Sequence, residues 1–387
     1  MTDRLYYKDS HLHKFSATVS SCEPYEGHFL VQLDRTAFFP EGGGQGADTG
    51  MIGPAHVLDV QERAGEVVHM TDAALPIGIA LDCELDWRQR FSRMQNHSGE
   101  HILSGTIHAL FGYDNVGFHM GENGILLDFN GELREEELAE VERLANEAVC
   151  RDIPVSAEIL SQDALRTLEY RSKMEFTGEA RIVTIPGVDT CACCAPHVSR
   201  TGEIGVIKIL DSIRHRGGVR LTAVCGFDAF ADYCLRFEST RAVSRALSAK
   251  QHEIAPAVER VLRELEAVKE DAAKAKKQLL ACKISQLQET DGNLCLFEPD
   301  MDPVSLRELV NAGMQLCSGV CAAFCGGEGN WTYCIGSLHT DLRAAAKEMN
   351  AALDGRGGGS PSMIQGTARA GRADIQSYIA KFPIHKI

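Results

Sequence analysis

Two short stretches, far apart in the chain, carry side chains that metal chemistry would bring to one point. The first is His97-Ser98-Gly99-Glu100-His101. It lies in WRQRFSRMQNHSGEHILSGTIHALFG, which reads as a helix starting after Asp86 and ending at Gly112, with Phe91, Met94, His97, His101 and Ile102 near one side. Residues i and i+4 share a helix face, so two imidazoles can converge on one ion. The second stretch is Asp189-Thr190-Cys191-Ala192-Cys193-Cys194-Ala195-Pro196-His197, where Cys193 and His197 repeat the spacing. Two histidines from a helix plus a cysteine and a histidine from a loop make a four-point tetrahedral set, which suits zinc. Each stretch also has a plainer reading: a pair of packing or surface histidines, and a cysteine-rich turn beside a surface histidine. Four protein ligands are the usual form of a structural zinc site, while a catalytic one keeps a position open. Glu100 lies about 100° from His101 around an ideal helix, and it is not in the second position of the His-Glu-x-x-His motif. It is therefore not assigned as a general base.

Composition supports metal ligation over disulfides. The chain has 387 residues, 44% of them hydrophobic, which is ample for two or three domains. It opens MTDRLYYKDS, which does not read as a secretory signal, and no run approaches the ~20 apolar residues of a membrane span. A soluble, cytoplasmic protein is expected. In that setting its 14 cysteines stay reduced. A net charge of −15 argues against non-specific adhesion to nucleic acid, though a local basic face is what a specific partner needs.

The expected fold class is α+β, in four parts. Residues 1–85 read as a β-barrel-like domain of short alternating strands, interrupted by the glycine-rich loop FFPEGGGQGADTG. Residues 86–228 form the metal-binding α+β core, with a second helix in REEELAEVERLANEAVCRD and strands in GEIGVIKILDSI and VRLTAVCG. Residues 229–290 carry apolar side chains at three- and four-residue spacing, the mark of a helical hairpin or coiled-coil arm, with Pro256 at a helix start or kink. That stripe fits packing within the chain and a dimer interface equally well. Residues 291–387 read as a small α/β domain with a second glycine-rich loop, GRGGGSPSMIQG.

Several motifs, in one order, resemble a known family. Asp34-Arg35-Thr36-Ala37-Phe38-Phe39-Pro40-Glu41-Gly42-Gly43-Gly44-Gln45, running on to Asp48-Thr49-Gly50, is similar to a Thr-x-Phe-Tyr-Pro-x-Gly-Gly-Gly-Gln segment. Met94-Gln95-Asn96-His97 through His101, and Cys193 through His197 followed by Thr201-Gly202-Glu203-Ile204-Gly205, complete the pattern, together with Lys208 and the Arg-Gly-Gly-Val-Arg run ending at Arg220. The chain thus resembles the freestanding alanyl-tRNA editing proteins (AlaX, long form) and the editing domain of alanyl-tRNA synthetase. The helical arm and Gly355 through Gly366 look like the C-terminal domain of that synthetase. Between the ligand Cys and His the family usually has Gly-Gly-Thr; this chain has Cys-Ala-Pro, with Cys191 upstream.

The resemblance implies a trans-editing, ATP-independent aminoacyl-tRNA deacylase acting on seryl-tRNA(Ala), and on glycyl-tRNA(Ala) as a further substrate. It implies one zinc per chain on His97, His101, Cys193 and His197, with Thr36 beside the amino-acid side chain and Gln45 near the ester. Gly42, Gly43, Gly44, Lys208 and Arg220 would face the tRNA. Taken alone, Lys208 and Arg220 read first as partners of carboxylates, and Gln45 has a lesser reading as a turn amide. The run Lys274-Ala275-Lys276-Lys277 reads either as a phosphate contact or as a solvated helix face. A homodimer through the arm or the C-terminal domain is expected, and with the editing core starting so early there is no room for an activating domain. One competing reading is a tRNA-binding module with a purely structural zinc. Another is a redox or metal-buffering protein using Cys191, Cys193 and Cys194.

Overall fold

A computed structural model describes residues 2–121, 124–172 and 178–382. The structure is mixed α+β and divides into two compact units, Met1–Val243 and Ser244–Ile387. The last five residues of the expected C-terminal domain, 383–387, lie outside the described ones.

In the first unit, six strands close into a barrel. They are β1 (Lys14–Tyr25), β2 (His28–Leu33), β3 (Gly50–Ile52), β4 (Ala55–Arg63), β5 (Glu66–Thr71) and β6 (Ala80–Leu85), in the order β1-β2-β5-β4-β3-β6. Alternation along β1 and β2 sends Val19, Val31 and Leu33 inward, and a register shift after Val57 in β4 lets both Val57 and Val60 join them. Closure comes from the antiparallel pairing of Lys14–Thr18 on β1 with β6, which leaves no free edge.

The glycine-rich segment leaves the barrel between β2 and β3. It turns tightly at 42–45, where the Gly42 and Gln45 amides each donate to the other's carbonyl at 3.0 Å. Gly43 (φ 60°) and Gly44 (φ 82°) occupy the left-handed region that favours glycine. A buried ion pair holds the loop to the next helix: Arg90 donates to Asp48 at 2.5 and 2.9 Å, and Asp48 also accepts the Phe39 amide at 2.7 Å.

That helix, α1 (Trp87–Phe111), starts where the Asp86 carboxylate accepts the Gln89 amide and ends at Gly112 with φ 70°. Its middle is buried on all sides. It packs against α2 (Glu135–Cys150) and against a four-stranded antiparallel sheet of β7 (Asn115–Gly121), β8 (Gly124–Phe129), β12 (Ile207–His215) and β13 (Gly218–Cys225). A three-stranded sheet, β9 (Ser156–Leu160), β10 (Ala180–Ile185) and β11 (Asp189–Ala192), lies on another side. Two glycines in α1 allow this. A Cβ on Gly99 would meet the Cys225 sulfur at 2.3 Å, and one on Gly105 would meet the Val188 carbonyl at 2.4 Å. The stretch GEIGVIKILDSI is not one strand: Thr201–Ile204 forms a turn of 3-10 helix, Gly205 breaks with φ 74°, and β12 begins at Ile207.

Helix α3 (Phe227–Leu247) follows and runs through the division between units. After the end of α3, the second unit continues with the long helix α4 (Ile254–Ser285), in which Pro256 sits in the first turn, where its missing N–H costs nothing. Next comes a five-stranded sheet of β14 (Leu294–Phe297), β15 (Cys321–Gly327), β16 (Asn330–Gly336), β17 (Arg356–Ser360) and β18 (Met363–Ala368), in the order β14-β15-β16-β18-β17, with helices α5 (Pro303–Gly313), α6 (Leu342–Ala352) and α7 (Arg372–Ala380). The C-terminal glycine-rich stretch, expected as a loop, is instead the edge strand β17, paired with β18 through Gly357, Gly358 and Gly359. Its glycines have a packing cause: a Cβ on Gly357 or Gly366 would fall 2.3 or 2.7 Å from the Tyr333 hydroxyl.

Candidate metal centre

Four donors from two distant parts of the first unit meet at one point. His97 and His101 come from α1, and Cys193 and His197 from the loop after β11. One ligand atom from each lies within 4.8 Å of all the others. The three imidazoles are nearly sealed from solvent, at 2, 2 and 4% exposure for His97, His101 and His197.

Each imidazole has its Nδ1 engaged elsewhere. His97 Nδ1 meets Gln45 Oε1 at 3.0 Å, His101 Nδ1 meets Asp189 Oδ2 at 2.8 Å, and His197 Nδ1 meets Ser98 Oγ at 3.0 Å. That leaves the three Nε2 atoms to face inward. The Cys193 sulfur lies 3.5 Å from His97 Nε2 and 3.3 Å from His197 Nε2. For Zn–N near 2.05 Å and Zn–S near 2.3 Å, a tetrahedral site separates N and S by about 3.6 Å. Partners that fix ring orientation and tautomer are what metal-binding histidines require. The donor set therefore fits a zinc-type ion.

The outer layer is itself braced. Arg171 grips Asp189 with two hydrogen bonds, of 2.7 and 2.9 Å. Ser98 Oγ also accepts the Val198 amide at 3.2 Å, which ties the loop to α1. Arg181 donates to the carbonyls of Cys193 and Ala195, both at 2.9 Å. Glu100 accepts from Ser104 and Asn115 through Oε1, each at 2.7 Å, while its Oε2 lies 3.7 Å from His101 Nε2. His101, Asp189 and Cys191 also lie close enough to share an ion, but the Nδ1–Asp189 bond makes that group part of the outer layer.

Electrostatics single out Cys193 among the three neighbouring cysteines. Burial raises a thiol's pKa, and it pushes Cys191 and Cys194 up to about 11. Cys193 is buried too, yet His97 and His197 beside it hold its thiol well below the usual range. His101 is raised well above its ordinary value because Glu100 and Asp189 outweigh the burial that lowers it. Burial takes His197 down to about 3.

The remaining sequence-derived candidates divide. Gln45 adjoins the cluster; its Oε1 is used by His97, while its buried Nε2 has no hydrogen-bond partner among the described residues. Gly44 fits against Phe118, whose ring is 4.9 Å from His97, and Gly43 lies beside Cys194. Thr36 is fully buried in the barrel region, with its hydroxyl 2.9 Å from His69 Nε2 and accepting the Phe38 amide at 3.1 Å. His69 Nδ1 faces the Val31 carbonyl, so that nitrogen carries the proton and Thr36 donates. Lys208 pairs with Glu142 at 2.7 Å, and Arg220 pairs with Asp128 across β8 and β13 at 2.6 and 2.8 Å. Sequence reasoning missed Ser98, Asp189, Arg171 and Phe118 as parts of the centre. Ser98 and Asp189 sit inside the two motifs and could have been found there; Arg171 and Phe118 carry no local signal.

Known proteins place these features in context. A family model described as the threonyl and alanyl tRNA synthetase second additional domain matches residues 180–222, which span β10 to β13 and include Cys193 and His197. The mouse alanyl-tRNA editing protein Aarsd1 is 34% identical over 223 residues, which cover 53% of this chain and 54% of that protein. The Pyrococcus horikoshii alanyl-tRNA editing protein AlaX-L is 32% identical over 243 residues, 60% of each chain. An alanine–tRNA ligase of Pyrobaculum neutrophilum is 30% identical over 402 residues, covering 97% of this chain and 43% of the ligase. The chain thus spans between two fifths and three fifths of the length of these relatives. It is similar both to freestanding alanyl-tRNA editing proteins and to alanyl-tRNA synthetase.

Proposed function

We propose that this chain, similar in sequence to alanyl-tRNA editing proteins, is a zinc-dependent aminoacyl-tRNA deacylase that removes serine, and also glycine, from tRNA for alanine. The observation that carries this reading is the free Nε2 of Gln45, buried beside a complete zinc-type donor set. A buried donor without a partner is costly, and a ligand carbonyl would satisfy it.

His97, His101, Cys193 and His197 would hold the ion. When bound, zinc supplies Lewis-acid polarisation and activates water near neutral pH. Gln45 would hold His97 through Oε1 and donate from Nε2 to the ester carbonyl, where charge develops during hydrolysis. Thr36 would read the side chain of the attached amino acid: a serine hydroxyl could exchange with the Thr36–His69 bond, and alanine could not. A site built for a hydroxyl rejects a substrate lacking one far better than an apolar pocket rejects an extra methyl group. Lys208 and Arg220 would reach tRNA phosphate only by exchanging their carboxylate partners. In this reading the four-part division of the chain stands, with the protein in the cytoplasm and acting as a homodimer.

A second reading keeps the zinc and drops the catalysis. Four protein donors already complete a tetrahedron, the usual form of a structural site. The test is deacylation of seryl- and alanyl-tRNA for alanine by the wild-type chain, by Gln45→Ala and by the double variant His97→Ala/His101→Ala, with zinc content and folding measured on each. The editing reading expects loss of serine with alanine spared, no activity in the double variant, and a Gln45→Ala chain that keeps zinc but loses most of the rate. A zinc-loaded, folded wild type that binds tRNA and releases no serine would leave the structural reading standing.

A further inference from the structure

Helix α3 carries its aromatic side chains on the outside. Among the described residues, five Phe, Tyr and Trp side chains are exposed, and four of them, Phe227, Phe230, Tyr233 and Phe237, lie in the first half of this one helix. They are 38 to 67% exposed, while Phe38, Phe39 and Phe129 of the same unit are buried. Steps of three and four residues set the four rings along one side of the helix. Tyr233 and Phe237 are stacked, with ring centres 6.1 Å apart. Of the whole helix only Ala229 is buried, so the rings pack no core. Scattered apolar groups on a surface are ordinary; a contiguous row of rings marks a binding face.

The row starts at the rim of a cleft. A cavity of about 680 Å³ opens between Gly46, the first turns of α1, the β7–β8 hairpin and Asp228 at the start of α3. Asp228 joins the two helices there, accepting from Asn96 at 2.6 Å and from Ser92 at 3.0 Å. Gly46 follows Gln45 in the chain, and the Met120 amide of the hairpin donates to the Gly44 carbonyl at 3.0 Å, so the glycine-rich loop forms one wall of the cleft. Two guanidinium groups line the other side. Arg93 donates to the Ala47 carbonyl and stands 3.8 Å from Asp48. Arg88 has no carboxylate partner among the described residues; it lies over the Phe227 ring, 5.0 Å from its centre.

Rings and guanidinium groups in one row suit one class of ligand. An unpaired nucleotide offers a flat π-face and a phosphate at every step, and proteins that hold single strands set aromatic rings beside cationic groups. A helix made for a protein groove uses aliphatic anchors as readily as aromatic ones. Here the large side chains of the row are all aromatic, and its near end meets two cations beside the glycine-rich loop. From Phe227 to Phe237 the helix rises about 15 Å, the length of about four stacked bases.

We propose that the cleft and the aromatic row of α3 together hold the unpaired nucleotides at the end of an RNA strand. Arg88 and Arg93 take phosphate, and Phe230, Tyr233 and Phe237 take the faces of the bases. The choice of RNA rests on the editing reading, to which it adds a path for the strand that carries the ester. Because the bases are held by their faces, their order along the row is read only weakly.

The test uses the full, zinc-loaded chain and a fluorescent single-stranded RNA of about ten nucleotides that ends in cytidine, cytidine and adenosine. Anisotropy should rise on titration with the wild type, and the same sequence closed into a duplex should compete at least tenfold less well. Phe230→Leu/Tyr233→Leu keeps the apolar surface and removes the π-faces. With helicity and thermal transitions unchanged, its Kd should rise at least tenfold, while Phe230→Trp/Tyr233→Trp should bind as the wild type does. Arg88→Gln should lower the slope of log Kd against log salt by about 0.7, the share of one phosphate contact on a single strand. No binding by the wild type, equal competition by the duplex, or a leucine variant that binds as tightly as wild type would each overturn the proposal; the last would mark the row as a face for a protein. A wild type that binds the strand through these rings yet releases no serine from seryl-tRNA would leave the proposal standing and remove the editing reading. Deacylation with the same KM in the wild type and the leucine variant would do the reverse.

Discussion

At the residue scale, the ligands were legible because their spacing is local. A helix brings i and i+4 together whatever the rest of the chain does, so His97 and His101 advertise themselves. The bonds that orient them were less legible, since Asp189 acquires its role only by meeting His101 from another element. Replacing Asp189 with Asn keeps the shape and removes the charge that holds His101 Nδ1–H. Zinc affinity, measured by competition with a chelator, should fall 10- to 100-fold with the fold intact; an unchanged affinity would show that Asp189 does not orient the ligand. The Thr36–His69 pair was invisible in the sequence, and it yields a pH prediction. Burial lowers His69 from about 6.5 to about 4. The folded chain leaves this imidazole neutral at a pH where the unfolded chain has already taken up a proton. Its contribution to stability is thus full above pH 6.5 and is lost as pH falls from there toward 4, by on the order of 3 kcal/mol. His197, lowered to about 3, contributes in the same direction over an overlapping window, so the readout is a difference. His69→Gln should flatten the fall of Tm between pH 6.5 and 4 relative to wild type, and an equal slope in both would exclude His69 as the proton acceptor.

At the element scale, strands and helices followed from periodicity, but their closest approaches did not. Period-two alternation marks β1 and β2 as strands; it cannot say that β6 returns to β1 and closes the ring, because that pairing joins residues as distant in sequence as Lys14 and Glu84. The C-terminal glycines read as a loop because glycine is a poor strand former. In the fold they pair as an edge strand, and the bulk they lack is taken up by Tyr333. Helix α1 poses the same conflict between propensity and packing. Alanine in place of Gly99 would favour the isolated helix by about 1 kcal/mol. Here the added methyl would sit 2.3 Å from a buried cysteine sulfur, and overpacking of this kind costs about 1–3 kcal/mol. Gly99→Ala should therefore lower stability in urea denaturation, and adding Cys225→Ala should restore part of it. A Gly99→Ala chain as stable as wild type would mean that α1 and β13 separate more easily than their contact suggests.

At the scale of the whole molecule, the two compact units have separate cores, and only the first holds the four donors. A ligand stabilises only the cooperative unit that binds it. Scanning calorimetry of the zinc-loaded chain should resolve two transitions, with chelation lowering one and leaving the other in place. A single transition that shifts as a whole would show the units to be coupled. The charge of −15 belongs to this scale as well. Its excess acid makes long-range attraction to RNA weak, so any tRNA affinity must come from local contacts and should show a shallow dependence on salt.

The way the donors are enclosed also has a kinetic consequence. Two come from a helix packed on every side, two come from a loop sewn to that helix through Ser98, and the histidines are almost shut off from water. Only Cys193 among the four is partly exposed, so an ion would leave chiefly when the loop that carries it lifts from the helix. The ion's rate of exchange with free metal would equal the rate at which that loop opens, and would not depend on the concentration of a competing chelator. The residence time of the ion would then be a clock for this breathing motion of the domain, readable with radioactive zinc long before any unfolding becomes visible to spectroscopy.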